Sequence, residues 1–382
     1  MNNDNIQQTW GIPALFNAAD ASCCYLIHEA DLNSSYCGKK LSNVDNKSKY
    51  KLTFPDPGEG DGEPQPTITL PWKSPWRVII IGGLADIVES TLIDDVSTPS
   101  LITKTDWIKP GVVSWNYWSS NHGTKDFKIV SEFADLAAEM GWPYTLIDWE
   151  WDQMSNGGNL EDAAQFEIMV YFHGCIVPRG WARTYPHLMT YEAIRGAEWN
   201  NNGPEFIYQV PEHNATALFT RNVVGSMDYT PVTFTNSQIS HITSYGHELA
   251  LSVLFESGMQ HMADRSEGYQ GLPDAAKTFL KEVPNAWDDT RLIDVYPGKD
   301  IVIARRKGND WFIGGVSGEQ IEKGKQILFN FLPQGIKYKL ILIADGKHDK
   351  AFDTQYMVVD KSSSINVKML RRGGFVASLK PM

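Results

Sequence analysis

The sequence predicts an α/β protein in which a (β/α) barrel core lies between a β-rich N-terminal region and a C-terminal antiparallel sandwich. Three observations support this. The first ~110 residues hold short β-branched and aromatic runs broken by Pro and Gly. A strand, helix, strand order begins at Lys109. From about Leu292, short alternating runs recur between Gly and Asn turns.

In the N-terminal region the strand candidates are 24–27, 50–54, 67–70 and 77–81. Between them PDPGEGDGEPQP (55–66) cannot sustain a ladder and reads as a solvated acidic loop. VVSWNYW (112–118) is apolar enough for a buried strand. Thr124 then caps a helix whose Phe127, Val130, Phe133, Ala134 and Ala137 share one face, and Gly141 stops it. YTLIDWEW (144–151) follows as a second strand ending in carboxylates, at the end of a βαβ unit where parallel folds place their chemistry. Further strands read at 167–174 and 227–232, with helices over 245–255 and 274–283. The C-terminal strands read at 301–306, 311–316, 326–331, 339–346, 356–359 and 365–370.

A chain of 382 residues suggests two or three domains with a sizeable core, which argues against a peptide, a toxin-like scaffold or a simple binding module. With 42% hydrophobic and 21% charged residues, wholesale disorder is equally unexpected. The formal charge of -12 leaves no basic stripe for phosphates, so nucleic acid and anionic membranes are poor partners and a neutral or cationic ligand fits better. No apolar run approaches the ~18 residues of a membrane span, and MNNDNIQQTW does not read as a signal peptide. Cys23, Cys24, Cys37 and Cys175 have neither zinc spacing nor the density of a disulfide framework, so their pairing is left open. The 13 Trp residues suit either core packing or platforms for sugar faces.

The densest polar segment, 173–200, offers Glu192 and Glu198 with Arg183, Arg195, Trp181 and Trp199. Glycosidic cleavage needs two carboxyl groups, one protonated and one ionised. The same carboxylates suit a hard cation such as calcium, and on spacing alone salt bridges to the neighbouring arginines serve equally well. In LIDWEWDQM, alternation sets Asp148, Glu150 and Asp152 on one face and Trp149 and Trp151 on the other. Such a face either binds sugar hydroxyls or simply holds strand-end loops. His261 with Asp264, and His213 with Arg221, have no metal spacing. HExxH, GxSxG and P-loop motifs do not occur, so serine-hydrolase and nucleotide-dependent chemistry have no support.

Seven separated segments, WKSPWRVIIIG, IKPGVVSWNYWS, YTLIDWEWDQMSNGGN, YFHGCIVPRGWARTYPHLMTYEAIRGAEW, FTRNVVGSMDYTP, HELALSVLFESGMQHMAD and VPNAWDDTRLID, together resemble glycoside hydrolase family 97, in the family's order. The resemblance implies an N-terminal β-sandwich, a catalytic (β/α)8 (TIM) barrel and a C-terminal β domain, here at 1–109, 110–291 and 292–382. It implies calcium in the active site, a periplasmic or secreted location, and exo-acting α-glycosidase activity, either inverting on α-glucosides or retaining on α-galactosides. Carried over by residue, Glu198 in RGAEW matches the general acid/base. Glu192 in TYEAIRG, Glu198 and Glu29 in LIHEADL match calcium ligands. Asp148, Glu150, Trp149, Trp151, Arg183 and Trp199 are the substrate-binding candidates. Inverting members resemble HEA where this chain reads HGC. Gly174 cannot activate water, which favours the retaining, α-galactosidase-like branch acting on α-galactoside oligosaccharides.

Two departures from the family pattern matter. Only the last part of the N-terminal domain is present. In addition, the family runs through two further βα units where Asn159 and Phe166 are almost adjacent here, a loss on the order of 60 residues. In the retaining branch that stretch carries the aspartate nucleophile, after a strand reading VKVDF, and no such motif occurs in this chain. The expectation is therefore an incomplete barrel with the acid/base present and the nucleophile missing. A catalytically inactive carbohydrate- or calcium-binding remnant is the alternative. An inverting α-glucosidase, which needs a base at Gly174, is the second alternative. The sequence sets no oligomeric state, although a partial barrel with open edges should associate.

Overall fold

The computed structural model describes residues 9–33, 37–44, 49–59, 64–117, 126–148, 160–175, 177–201, 204–235 and 240–382. Among these, the N-terminal region forms two three-stranded antiparallel sheets. Cys24–Ala30 is central in one, between Ala14–Asn17 and Trp76–Gly82. Lys40–Val44 is central in the other, between Thr9–Trp10 and Lys49–Thr53. Ile12, Phe16 and Leu41, drawn from both sheets, make a small core with Trp10 and Leu52. Leu26, Val78, Ile80 and Ile87 make a second. The strand expected at 67–70 does not form. Pro66 and Pro71 flank it without the N–H groups a ladder needs, and Leu70 is exposed. All four cysteines are free thiols.

In the central region Gly111–Trp115 lies between Met259–Met262 and Tyr144–Leu146 in a parallel sheet. Val170–Phe172 pairs in parallel with Leu188–Tyr191, and a parallel bridge joins Tyr191 to Met227. The strand expected at 227–232 is reduced to that bridge, because Thr230 and Val232 take positive φ and break the extended chain. Hydrogen bonds from Met227 N–H to Glu256 O and from Ala263 N–H to Pro231 O tie the segment to its neighbour. Among the described residues no ladder joins Tyr144–Leu146 to Val170–Phe172.

The helix Phe127–Met140 backs this sheet. Asp126 caps it by accepting the Lys128 N–H, and Gly141 ends it in the left-handed region; the expected cap, Thr124, lies outside the described residues. Phe133, Leu136, Ala137 and Met140 are buried and Ile129 packs against the same core, while Phe127 and Ala134, expected on the packed face, are exposed. The helix Tyr245–Leu254 is buried on every side. It lies so close to the C-terminal sheet that a Cβ at Gly246 would come 2.3 Å from the Gly374 carbonyl oxygen. No helix is long and apolar enough to cross a membrane among the described residues.

The C-terminal region is an antiparallel six-stranded sheet in the order Asp289–Tyr296, Asp300–Lys307, Asp310–Ser317, Gly374–Pro381, Tyr338–Asp345, Phe352–Val359. A two-stranded sheet, Lys323–Leu328 with Ser364–Met369, covers one face. Strand alternation divides the burial. Val302 and Ala304 pack with Ile327, Val367 and Met369, while Ile301 and Ile303 join Leu249 and Leu254 in the large central core. Glu89 ties the N-terminal region to this domain, accepting from Arg291 and from the Leu292 N–H.

Candidate active site

The strand ends of the central region converge on one group of polar side chains. The Ser114 hydroxyl donates to Phe133 O of the backing helix, so Val113 and Trp115 on either side of it face inward. Register pairs Ser114 with Met262 and Val113 with His261, which sets His261 on the same inner face. Trp115 Nε1 donates to Asp148 Oδ2 over 2.9 Å. His261 Nδ1 lies 2.9 Å from Asp228 Oδ1, and both side chains are almost wholly buried. The Tyr171 ring stands 4.9 Å from that of His261. Burial raises the Tyr171 hydroxyl pKa, with the charges of Asp148, Asp228, Glu198 and Glu192 acting in the same direction, so this phenol stays protonated amid carboxylates.

Two residues beyond Tyr171, the sequence-predicted carboxylates meet. His173 Nδ1 is 3.7 Å from Glu192 Oε2, and its Nε2 is 3.5 Å from Glu198 Oε1. Glu192 is set by its own N–H bonding Phe172 O, and its Oε2 accepts the Gly174 N–H over 2.6 Å. Glu198 sits in the 3-10 turn Ala197–Asn201, which the Ala197 N–H anchors to Tyr229 O. Burial and then a hydrogen bond with Glu192 push the Glu198 carboxyl up to about 9, so at neutral pH it holds a proton beside a second carboxyl group.

Glu29 is fully buried in the N-terminal region, with Arg77 Nη1 3.2 Å and Arg179 Nε 3.5 Å away, and accepts the Lys39 N–H. It is outside the His173, Glu192, Glu198 group. Arg183 acts electrostatically on Asp94, favouring its charged form. Trp199 packs on Phe206, under the Arg195 guanidinium. The Trp181 indole donates to the Leu32 carbonyl oxygen. Trp149, Glu150 and Trp151 lie outside the described residues. Sequence reasoning missed His173 and Tyr171 as site residues, although both fall at the end of a strand with the alternation that puts them inward.

His173, Glu192 and Glu198 offer ligand atoms within 4.8 Å of one another, the one such group among the described residues. The two carboxylates are the hard oxygen donors calcium takes, whereas the imidazole is not, so the donor set fits calcium through Glu192 and Glu198.

Three family profiles match the chain in order: "Glycosyl-hydrolase 97 N-terminal" over 1–99, "Glycoside hydrolase 97" over 158–194, and "Glycosyl-hydrolase 97 C-terminal, oligomerisation" over 286–380. The chain belongs to glycoside hydrolase family 97. It is 28% identical to a probable retaining alpha-galactosidase of Streptomyces bingchenggensis, over 92% of this chain and 64% of the relative. A retaining alpha-galactosidase of Bacteroides thetaiotaomicron is 23% identical, over 81% and 60%. The family 97 chain thus spans less than two thirds of the length of these relatives. The Streptomyces alignment runs over 428 residues while taking up 92% of 382, about 351, which leaves about 77 positions of the relative without a counterpart here. A crystal structure of a beta-arabinopyranosidase superposes with a TM-score of 0.86 at 25% identity, covering 96% of this chain and 71% of that one. A family 97 enzyme from Pseudoalteromonas sp. strain K8, in complex with acarbose, superposes at 0.81 with 22% identity, covering 100% and 75%.

Proposed function

We propose that this family 97 chain carries the acid/base half of a retaining exo-α-galactosidase site, with Glu198 as the general acid/base. The supporting observation is the Glu192 and Glu198 pair at the carboxyl end of parallel strands, one carboxyl protonated beside the other. At neutral pH Glu198 holds the proton that a departing glycosidic oxygen requires. Once ionised, it can take a proton from water in the second half of a double displacement. Gly174 favours retention, because a residue without a side chain cannot serve as the base of an inverting site. The names of the Streptomyces and Bacteroides relatives favour galactosides over glucosides.

Glu192 and Glu198 would hold calcium, which supplies positive charge that polarises sugar hydroxyls and draws the Glu198 carboxyl down toward the working pH of a general acid. Glu29 is spoken for by its arginines. The core is an incomplete TIM barrel over 110–291, between the N-terminal sandwich portion at 1–109 and the C-terminal β domain at 292–382. Its missing units take the nucleophile with them, and Asp148 and Asp228 are engaged by Trp115 and His261. A periplasmic or secreted setting follows from the family resemblance. The missing nucleophile favours the second reading, a binding remnant without turnover. Phenol release from phenyl α-galactoside decides between them. Turnover lost in Glu198→Gln and after chelation supports the enzyme. Galactose binding without turnover supports the remnant, and turnover that survives Glu198→Gln overturns the assignment of the acid.

A further inference from the structure

The Asp228 and His261 pair has a feature that the acid/base chemistry leaves unused. A carboxylate oxygen can only accept, so the 2.9 Å contact places a proton on His261 Nδ1, and in the neutral imidazole Nε2 is then the acceptor. That Nε2 atom is buried and has no hydrogen-bond partner among the described residues. Buried polar atoms are almost always paired, and one left open beside a site calls for a missing partner. His261 is on the inner face with Trp115, its ring flanked by Tyr171 and Trp115. Aromatic rings beside an open polar acceptor are a setting in which proteins hold a sugar ring and bond its hydroxyls. At the neighbouring strand end Asn116 is fully buried as well, and among the described residues neither its Oδ1 nor its Nδ2 is bonded.

We propose that His261 accepts a hydrogen bond from a hydroxyl of the bound galactose unit, and that Asp228 is the positioning residue that keeps its Nε2 free to do so. This deepens the galactoside reading above and rests on it. His261 selects by polarity. A sugar with a hydroxyl at the matching carbon satisfies the open acceptor, and a deoxy sugar leaves it unpaired.

The test uses the full chain labelled with ¹⁵N and ¹³C histidine, titrated with D-galactose. The His261 signal is assigned by its loss in His261→Asn, whose amide can still donate to Asp228 but has nothing at the Nε2 position. The proposal expects the Nδ1–H tautomer in the free protein and a shift of Nε2 on galactose binding. Calorimetry should show galactose bound roughly tenfold more weakly by His261→Asn. One monodeoxygalactose should bind wild type roughly tenfold more weakly than galactose does, yet bind His261→Asn no worse than galactose does. Asp228→Asn should move the ring proton to Nε2 and weaken galactose binding, a reversal of tautomer that a merely structural aspartate would not produce. Galactose binding with an unmoved Nε2 signal, or equal losses across all deoxy analogues, overturns this assignment alone. No galactose binding to wild type overturns both it and the galactoside reading.

Discussion

The backbone N–H of Gly174 lies 2.6 Å from Glu192 Oε2, so the residue after His173 serves the site through its backbone. Its φ is 60°, in the left-handed region, and a Cβ there would meet nothing within 4 Å. Gly174→Ala therefore has room but carries left-handed strain. It should lower stability by about 1 kcal/mol in urea denaturation while leaving any Glu198-dependent cleavage in place. A folded Gly174→Ala protein with no cleavage would show that the glycine does more than supply this N–H.

The protonation of Glu198 sets a pH dependence of stability. Its folded-state value is raised from 4.5 to about 9, so across that window the folded chain holds a proton the unfolded chain has lost, and stability falls as pH rises. Glu198→Gln removes this penalty. In calcium-free buffer the melting temperature of Glu198→Gln should exceed that of wild type by a margin that widens with pH across the same window. Parallel curves for the two proteins would count against a raised Glu198.

Glu29 gives a test of structure against resemblance. Neutralising it leaves Arg179 buried without its carboxylate, and Glu29→Gln should cost roughly 3 kcal/mol of stability measured without calcium. Calcium affinity, read by titration calorimetry, should be unchanged. Unaltered stability with weakened calcium binding would instead make Glu29 a ligand.

The strand Trp76–Gly82 lies at the edge of its sheet, with Trp76 57%, Ile79 56% and Ile81 67% exposed. Open edges with apolar side chains favour pairing with other chains. Ile79→Lys with Ile81→Lys should reduce concentration-dependent association in sedimentation velocity, with melting temperature held. Unchanged association would locate the sticky surface elsewhere.

Much of the framework was legible in the chain because it is local. The helix ending at Gly141 follows from 3.6-residue periodicity and a left-handed stop. The C-terminal strands follow from alternation between Gly and Asn turns. The site was legible only in pieces. Glu192 and Glu198, six residues apart, could be named, yet spacing alone could not choose between catalysis, metal and salt bridge. What settles their environment is His173, carried on a different strand. His261 could be seen as a histidine without metal spacing. Its partner Asp228 is brought to it from 33 residues away by a segment tied through the Met227 N–H to Glu256 O and the Ala263 N–H to Pro231 O, which no local pattern encodes. Glu29 was named as a ligand from the family resemblance of LIHEADL, and its contacts with Arg77 and Arg179 arise only in three dimensions. The broken strand at 227–232 was missed because its apolar and β-branched residues suit a strand, while Thr230 and Val232 adopt positive φ.

An acid/base in place without its nucleophile should accept an external one. Azide is added to the protein with calcium and phenyl α-galactoside, and the product is read by proton NMR. The nitrogen of azide would form the new bond to the anomeric carbon from the β face as the glycosidic C–O bond breaks, and the Glu198 proton would leave with phenol. Wild type should give β-galactosyl azide and Glu198→Gln little. Equal product from both proteins, or no galactosyl azide from either, would contradict it.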